Sequence, residues 1–139
     1  MFTAQHIMKT DVVTVRPDTP IEQVVERFEE YRVSGMPVVD EHHQLVGVIT
    51  EYDILRCMST CEMSATVADW MNSEVLSINA NALLDEILEL FLKHNIRRVP
   101  VVQNGRILGI ISRRDLVSMG NIRQQILELQ PAEQQPSGV

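Results

Sequence analysis

Gly47-Val48-Ile49-Thr50-Glu51-Tyr52-Asp53 and Gly109-Ile110-Ile111-Ser112-Arg113-Arg114-Asp115 are one pattern written twice, and their agreement decides how the chain is read. Each passes from β-branched residues to a hydroxyl residue with Asp three places later, which is how a strand gives way to a capped helix. Working outward, an offset of 62 superposes Gly47 on Gly109, Ile49 on Ile111 and Asp53 on Asp115. Upstream the offset is 63, placing Met8 on Met71, Glu26 on Glu89, Phe28 on Phe91 and Pro37-Val38-Val39 on Pro100-Val101-Val102. The slip falls in the polar turns His42-His43-Gln44 and Asn104-Gly105-Arg106, where a deletion is tolerated.

Each copy reads as strand, helix, strand, strand, helix. The first strands are Val12-Val13-Thr14-Val15 and Val75-Leu76-Ser77-Ile78. In the first helix Thr19 is the expected N-cap, with Pro20 at the first helical position, Glu22 completing a capping box and Ile21, Val24, Val25 and Phe28 on one face. Its counterpart has Asn81 as cap and the stripe Leu84, Ile87, Leu88 and Phe91, widened by Leu83, Leu90 and Leu92, so it is expected to be the more buried of the two. The paired strands are Met36–Asp40 with Leu45–Ile49, and Val99–Val102 with Ile107–Ile111, the latter joined by an Asn104-Gly105 hairpin turn. The last helices start at Thr50 and Ser112 and are expected to turn Ile54-Leu55 and Leu116-Val117 inward. Val67-Ala68-Asp69-Trp70-Met71 repeats the lead-in Ala4-Gln5-His6-Ile7-Met8. From Pro131 to Val139 there is no apolar pattern, so the tail reads as loose.

A chain of 139 residues with 45% apolar composition suits one globular unit. Its 12 Lys and Arg against 19 Asp and Glu give a net charge of −7, which argues against a general attraction to nucleic acid or anionic lipid. The basic residues Arg97, Arg98, Arg106, Arg113 and Arg114 nevertheless crowd into one stretch. No charged leader with an apolar run stands at the N-terminus, and no segment approaches the roughly 18 apolar residues of a membrane span, so a cytoplasmic protein is expected. Cys57 and Cys61 lack partners at zinc spacing and read as reduced thiols, and no metal site is expected. Neither a nucleophile with an adjacent base nor a Walker loop is present, so the chain reads as no enzyme. Trp70, Phe28, Phe91 and the methionines read as core or subunit surface, with Met58, Met63 and Met119 suited to an adaptable interface.

The segments Val33-Ser34-Gly35-Met36-Pro37-Val38-Val39-Asp40 and Ile96-Arg97-Arg98-Val99-Pro100-Val101-Val102, with the opening heptads and the lead-in methionines, resemble a tandem pair of CBS domains, the repeats named after cystathionine β-synthase. The resemblance covers roughly residues 1 to 120. It implies an α+β fold of two β-α-β-β-α repeats related by pseudo-twofold symmetry, their sheets packed together with helices outside. The expected divisions are 1–60 for the first repeat, 61–120 for the second and 121–139 for a helix end and tail. The resemblance also implies two clefts between the repeats, and a disc-shaped homodimer.

In that family such clefts often hold AMP, ADP or ATP, and in some members S-adenosylmethionine or NADH. Carried onto this chain, one cleft joins Ser112, Arg114 and Asp115 to Met8, Val13, Val33 and Ser34. The other joins Thr50, Tyr52 and Asp53 to Met71, Leu76 and Ile96, with Arg97 beside them. A carboxylate suits a ribose diol, a helix N-terminus with a hydroxyl suits phosphate, and apolar walls suit adenine. Thr50-x-x-Asp53 and Ser112-x-x-Asp115 are equally good helix caps, and that alternative stays open. Because Arg97, Arg98, Arg113 and Arg114 are expected around Asp115, whereas the first repeat has Ser34, Gly35, Glu51 and Tyr52, the Asp115 cleft is expected to bind phosphate more tightly.

The functional expectation is therefore a free-standing regulatory, energy-sensing module that binds an adenine nucleotide and signals through dimer geometry or an unidentified effector protein. No cofactor is required for this. The alternative is a structural oligomerisation module without a small-molecule ligand.

Overall fold

The computed structural model describes residues 2–62 and 64–128. Met63 and the tail from Pro131 lie outside the described residues, and so do the expectations attached to them. The elements run α1 (Ala4–Ile7), α2 (Ile21–Tyr31), β1 (Gly35–Val39), β2 (Leu45–Thr50), α3 (Glu51–Thr60), α4 (Val67–Trp70), β3 (Ile78–Asn79), α5 (Leu84–His94), β4 (Arg98–Gln103), β5 (Arg106–Ser112) and α6 (Arg113–Glu128). The fold is α+β, built from two small sheets that carry the same pattern.

β1 and β2 pair antiparallel with Met36 opposite Ile49 and Val38 opposite Gly47. β4 and β5 repeat this with Val99 opposite Ile111 and Val101 opposite Gly109. Both ladders shift register one residue later, at Val38/Val39 and Val101/Val102. Asn104 and Gly105 both have positive φ, 53° and 81°, the geometry of the two-residue turn that matches strand twist. The first hairpin has a longer turn, held by Asp40, whose Oδ1 accepts from the backbone N–H groups of His42 at 2.8 Å and Gln44 at 2.9 Å. The two hairpin tips join the sheets: Leu45 N donates to Gly105 O at 3.0 Å and Ile107 N to His43 O at 3.3 Å.

The leading strands are shorter than the β-branched runs suggest. Only Val15 bridges in parallel to Val38, and only Ile78–Asn79 pairs in parallel with β4. Propensity alone does not make a strand where no edge is offered for pairing. Helix starts also differ from expectation. Pro20, not Thr19, is the N-cap of α2. Thr19 Oγ1 instead accepts from Arg16 N at 3.0 Å, and Ile21 N finds the carbonyl of Ala65 at 3.0 Å, so a distant segment does the capping. Leu83, not Asn81, caps α5, while Asn81 N is turned back to Asn79 Oδ1 at 2.8 Å.

α5 is not the more deeply set helix. Its buried residues are Ile87 and Phe91, against Ile21 and Val24 on α2, and Leu83 and Leu92 face out, Leu92 being 83% exposed. Leu55 and Val117 likewise point outward at 61% and 76%, because adjacent residues on a helix are about 100° apart and Ile54 and Leu116 take the inward direction.

The core is split in two, and the lead-ins are exchanged between the parts. Ala4 and Ile7 pack with Ile78, Ile87, Phe91 and Ile111 of the second repeat. Val67, with Trp70 and Met71 partly buried beside it, packs with Val15, Ile21, Val38 and Ile49 of the first. Backbone bonds hold each lead-in there: Ala4 N to Ala82 O and Val67 N to Thr19 O, both 2.9 Å. Gly47 and Gly109 admit the crossing chains. A β-carbon on Gly47 would meet Met71 Sδ at 2.8 Å, and one on Gly109 would meet Met8 Sδ at 2.6 Å and Lys9 O at 2.7 Å.

Candidate functional site

The site begins at the two helix starts. Thr50 is the N-cap of α3, and its backbone N–H and hydroxyl both donate to Asp53 Oδ2, at 2.8 and 3.0 Å, while Asp53 N donates back to Thr50 Oγ1 at 3.3 Å. In the second repeat Ser112 N donates to Asp115 Oδ2 at 2.8 Å and Asp115 N to Ser112 Oγ at 3.1 Å. The capping alternative is therefore realised at both starts, and it uses one carboxylate oxygen of each Asp. The other oxygen meets a cation. Asp53 Oδ1 lies 3.5 Å from the Arg56 guanidinium, and Asp115 Oδ1 lies 3.4 Å from Lys9 Nζ. The segments before the prolines close over the same points: Glu51 N donates to Ser34 O at 3.0 Å and Arg113 N to Arg97 O at 2.8 Å.

A cavity of about 540 Å³ lies between the repeats. Ser34 and Arg97, Pro37 and Pro100, and Val48 and Ile110 are equivalent pairs that all line it, so it straddles the pseudo-dyad. From there it extends toward Thr50, Glu51 and Tyr52 on one wall and Val75, Leu76 and Ile96 on the other, with Arg98 and Glu74 also in the lining. A second cavity, also about 540 Å³, shares Val48, Thr50 and Tyr52 with the first and continues over Asp53, Arg56, Asp69, Met71 and Asn72. The first is walled mainly by apolar groups and the second by polar ones. In a depression of mixed walls, a flat apolar ring and a hydroxylated or charged tail each find suitable surroundings.

All six residues assigned from sequence to the Thr50 cleft line one or other of these adjoining cavities. The residues assigned to the Asp115 cleft meet several different neighbours. Ser112 and Asp115 are paired, Arg114 is exposed, Met8 lies against Gly109, and Val13 and Val33 pack against the first repeat's core. Ser34, Arg97 and Arg98, expected beside Asp115, with Arg97 expected beside the Thr50 cleft as well, line the cavity that straddles the pseudo-dyad. They stand where β1 and β4 start, next to the pseudo-dyad, and the arginines also adjoin the second helix start, Arg97 O accepting from Arg113 N at 2.8 Å and Arg98 pairing with Ser112.

Several lining residues were missed by sequence reasoning. Glu51 and Glu74 face the cavity that also takes Arg97 and Arg98, so its charge is mixed. Trp70 packs against the first core and also lines the second cavity. Arg56 lies 5.4 Å from the centre of its ring, and the indole Nε1 is buried without a hydrogen-bond partner. Asn72, in the second cavity, and Lys9, the ion-pair partner of Asp115, are the residues after the lead-in methionines, and their offset of 63 was the available signal. Behind the site on α3, burial pushes the Cys57 thiol up, with the nearby Glu62 and Asp69 adding to it.

The CBS domain family model matches residues 4–60 and 67–120. The CBS domain-containing protein YhcV of Bacillus subtilis is 33% identical over 118 residues, covering 84% of each chain. Inosine-5'-monophosphate dehydrogenase of Aquifex aeolicus is 36% identical over 107 residues, which is 76% of this chain but only 22% of that enzyme. The chain spans between 22% and 41% of the first three curated relatives. Among solved structures, CBSX2 in complex with AMP superposes with a TM-score of 0.79 at 27% identity, covering 89% of this chain and 99% of that one; CBSX2 comes from Arabidopsis thaliana. Among the described residues no helix is long and apolar enough to cross a membrane.

Proposed function

The chain belongs to the CBS domain family as a tandem pair, and from that premise we propose that it is a regulatory module that binds an adenine nucleotide between its repeats. The observation that carries this reading is the cavity of about 540 Å³ in which Thr50 and Tyr52 at a helix start face Leu76 and Ile96 of the other repeat. Its size is within the ordinary range for small-molecule sites, roughly 300–1,000 Å³. Leu76, Ile96 and Val48 offer walls to a purine. The neighbouring polar cavity brings in Asp53 for the sugar, and Arg97 and Arg98 supply guanidinium groups to a phosphate. The AMP complex of the CBSX2 relative supports the same ligand class. We place this cavity ahead of the Asp115 cleft, reversing the order that the arginine count suggested.

Signal output fits the same residues. Tyr52 lines both cavities and is also the first of three exposed apolar residues on α3, with Leu55 and Met58 following. A ligand that reorders Tyr52 therefore alters a surface that a second copy or an effector protein can read. The exposed stripe is also what supports the other reading, an oligomerisation module without a ligand.

Calorimetric titration with AMP, ADP, ATP, S-adenosylmethionine and NADH separates the two. The nucleotide reading expects binding that weakens at least about ten-fold in Leu76→Arg, a change at a part-exposed wall residue that fills the cavity. Equal binding in Leu76→Arg and wild type rejects this cavity as the site, and no binding of any of the five favours the oligomerisation module.

A further inference from the structure

We propose that Lys9 is a specificity-determining residue that restricts the Asp115 cleft to ligands carrying a phosphate; this rests on the nucleotide reading above. Lys9 is fixed in place by a two-way backbone pair with Ile110, both bonds 2.9 Å, while its side chain is 76% exposed. The ammonium reaches Asp115 Oδ1 at 3.4 Å, and Ser112 N holds Oδ2 at 2.8 Å. Both oxygens of this 11% exposed carboxylate thus have partners within the protein. A sugar diol that bonds to Oδ1 has to share that oxygen with the ammonium or move it aside.

Moving it is easy, because the ammonium is solvent-exposed and its 3.4 Å contact is loose, so the pair holds it weakly. The consequence depends on the ligand. The lysine stem is long and flexible but rises from a fixed backbone, so the displaced charge stays within reach of the cleft. A phosphate on the ligand gives that charge a new partner beside Arg113 and Arg114 of the α6 start. A neutral nucleoside does not, and must compete with Lys9 for Asp115.

The first repeat lacks this device. Asn72 stands at the equivalent position, with the same two-way pair to Val48 at 2.9 Å, and an amide carries no charge. The cation on Asp53 comes from its own helix, Arg56, and is held against the Trp70 ring. Phosphate selectivity in the Asp115 cleft is therefore delivered by the segment that crosses from the opposite repeat.

The test titrates AMP and adenosine by calorimetry in the Leu76→Arg background, which closes the Thr50 cavity and leaves the Asp115 cleft to be read alone. Lys9→Asn installs the residue found at the equivalent position and, being exposed, leaves the core intact. The expected result is a fall of about ten- to a hundred-fold in the preference for AMP over adenosine, the size of one charge-assisted bond. Lys9→Arg keeps the preference. An unchanged ratio in Lys9→Asn overturns the proposal. So does an absence of AMP binding in Leu76→Arg alone. If unmodified protein binds AMP while either of those results holds, only the role of Lys9 falls; if it binds no adenosine compound, the nucleotide reading falls with it.

Discussion

Gly109 lies so close beneath Met8 that a β-carbon on it would come within 2.6 Å of the methionine sulfur and 2.7 Å of the next carbonyl oxygen, that of Lys9. The sulfur is the near part of a flexible side chain and can shift. The carbonyl is backbone in a two-way pair with Ile110 and cannot shift without breaking it. Gly109→Ala is therefore expected to cost about 1–3 kcal/mol by overpacking. Gly47→Ala, whose nearest backbone atom is Asn72 O at 3.1 Å, costs less. Urea unfolding of both variants checks the order, and equal midpoints would contradict it.

The helix caps have a structural role that precedes any ligand. Thr50→Ala and Ser112→Ala each remove a hydroxyl that accepts from the N–H of the aspartate three places later. Each is expected to lose about 0.5–2 kcal/mol of stability without nucleotide present. Thermal or urea denaturation of the unliganded protein measures this directly. A loss seen only when nucleotide is added would assign the hydroxyls to binding alone.

Two thiols share α3 and its C-cap but differ in surroundings. Cys57 is fully buried and its thiol is pushed up by burial, whereas Cys61 is exposed. Because the thiolate is the reactive form, Cys61 is expected to react with a disulfide reagent at neutral pH well before Cys57, and both react together in denaturant. Following the two rates by mass spectrometry tests this, and comparable rates in the native protein would show that α3 opens readily.

Acid should weaken the first hairpin. The Asp40 carboxyl is held below its ordinary value of 3.8, chiefly by the bond from the Gln44 backbone, with the His42 N–H and the nearby charges of His42 and Arg16 also lowering it against the opposing effect of burial. A depressed carboxyl stabilises the fold in full above the unfolded value, and that stabilisation is lost as pH falls through the folded value. Asp40→Asn should therefore be less stable than wild type near pH 7, with the gap narrowing below about pH 4. Urea midpoints across that range provide the measurement, and a constant gap would remove Asp40 from the acid response.

Much of this fold is written locally. The hairpin at Asn104-Gly105, the strands β1, β2, β4 and β5, and the helix starts at Thr50 and Ser112 arise from turn chemistry, alternation and cap spacing within a few residues. The resemblance carried the pairing of Thr50 and Tyr52 with Leu76 and Ile96, which no local pattern could supply. Other features were illegible for definite reasons. Ala4–Ile7 and Val67–Trp70 have the same short pattern, and a duplicated chain offers each of them the same docking groove twice, so nothing nearby says which core either will fill. The ion pair of Lys9 with Asp115 depends on that exchange and was hidden with it. Thr19 and Asn81 looked like caps because the competitor for α2, the carbonyl of Ala65, lies far along the chain.

The crossing of the two lead-ins also sets an order of events during synthesis. The first repeat can close its core once Val67 and Met71 have left the ribosome, since every other member of that cluster precedes them. Ala4 and Ile7 must wait for Val99, Val101 and Ile111, nearly the whole of the described chain. Ala4 and Ile7 therefore emerge more than ninety residues before the partners that cover them, and their apolar turn stays unpacked while that length of chain is made. A nascent-chain chaperone has an extended opportunity at that turn.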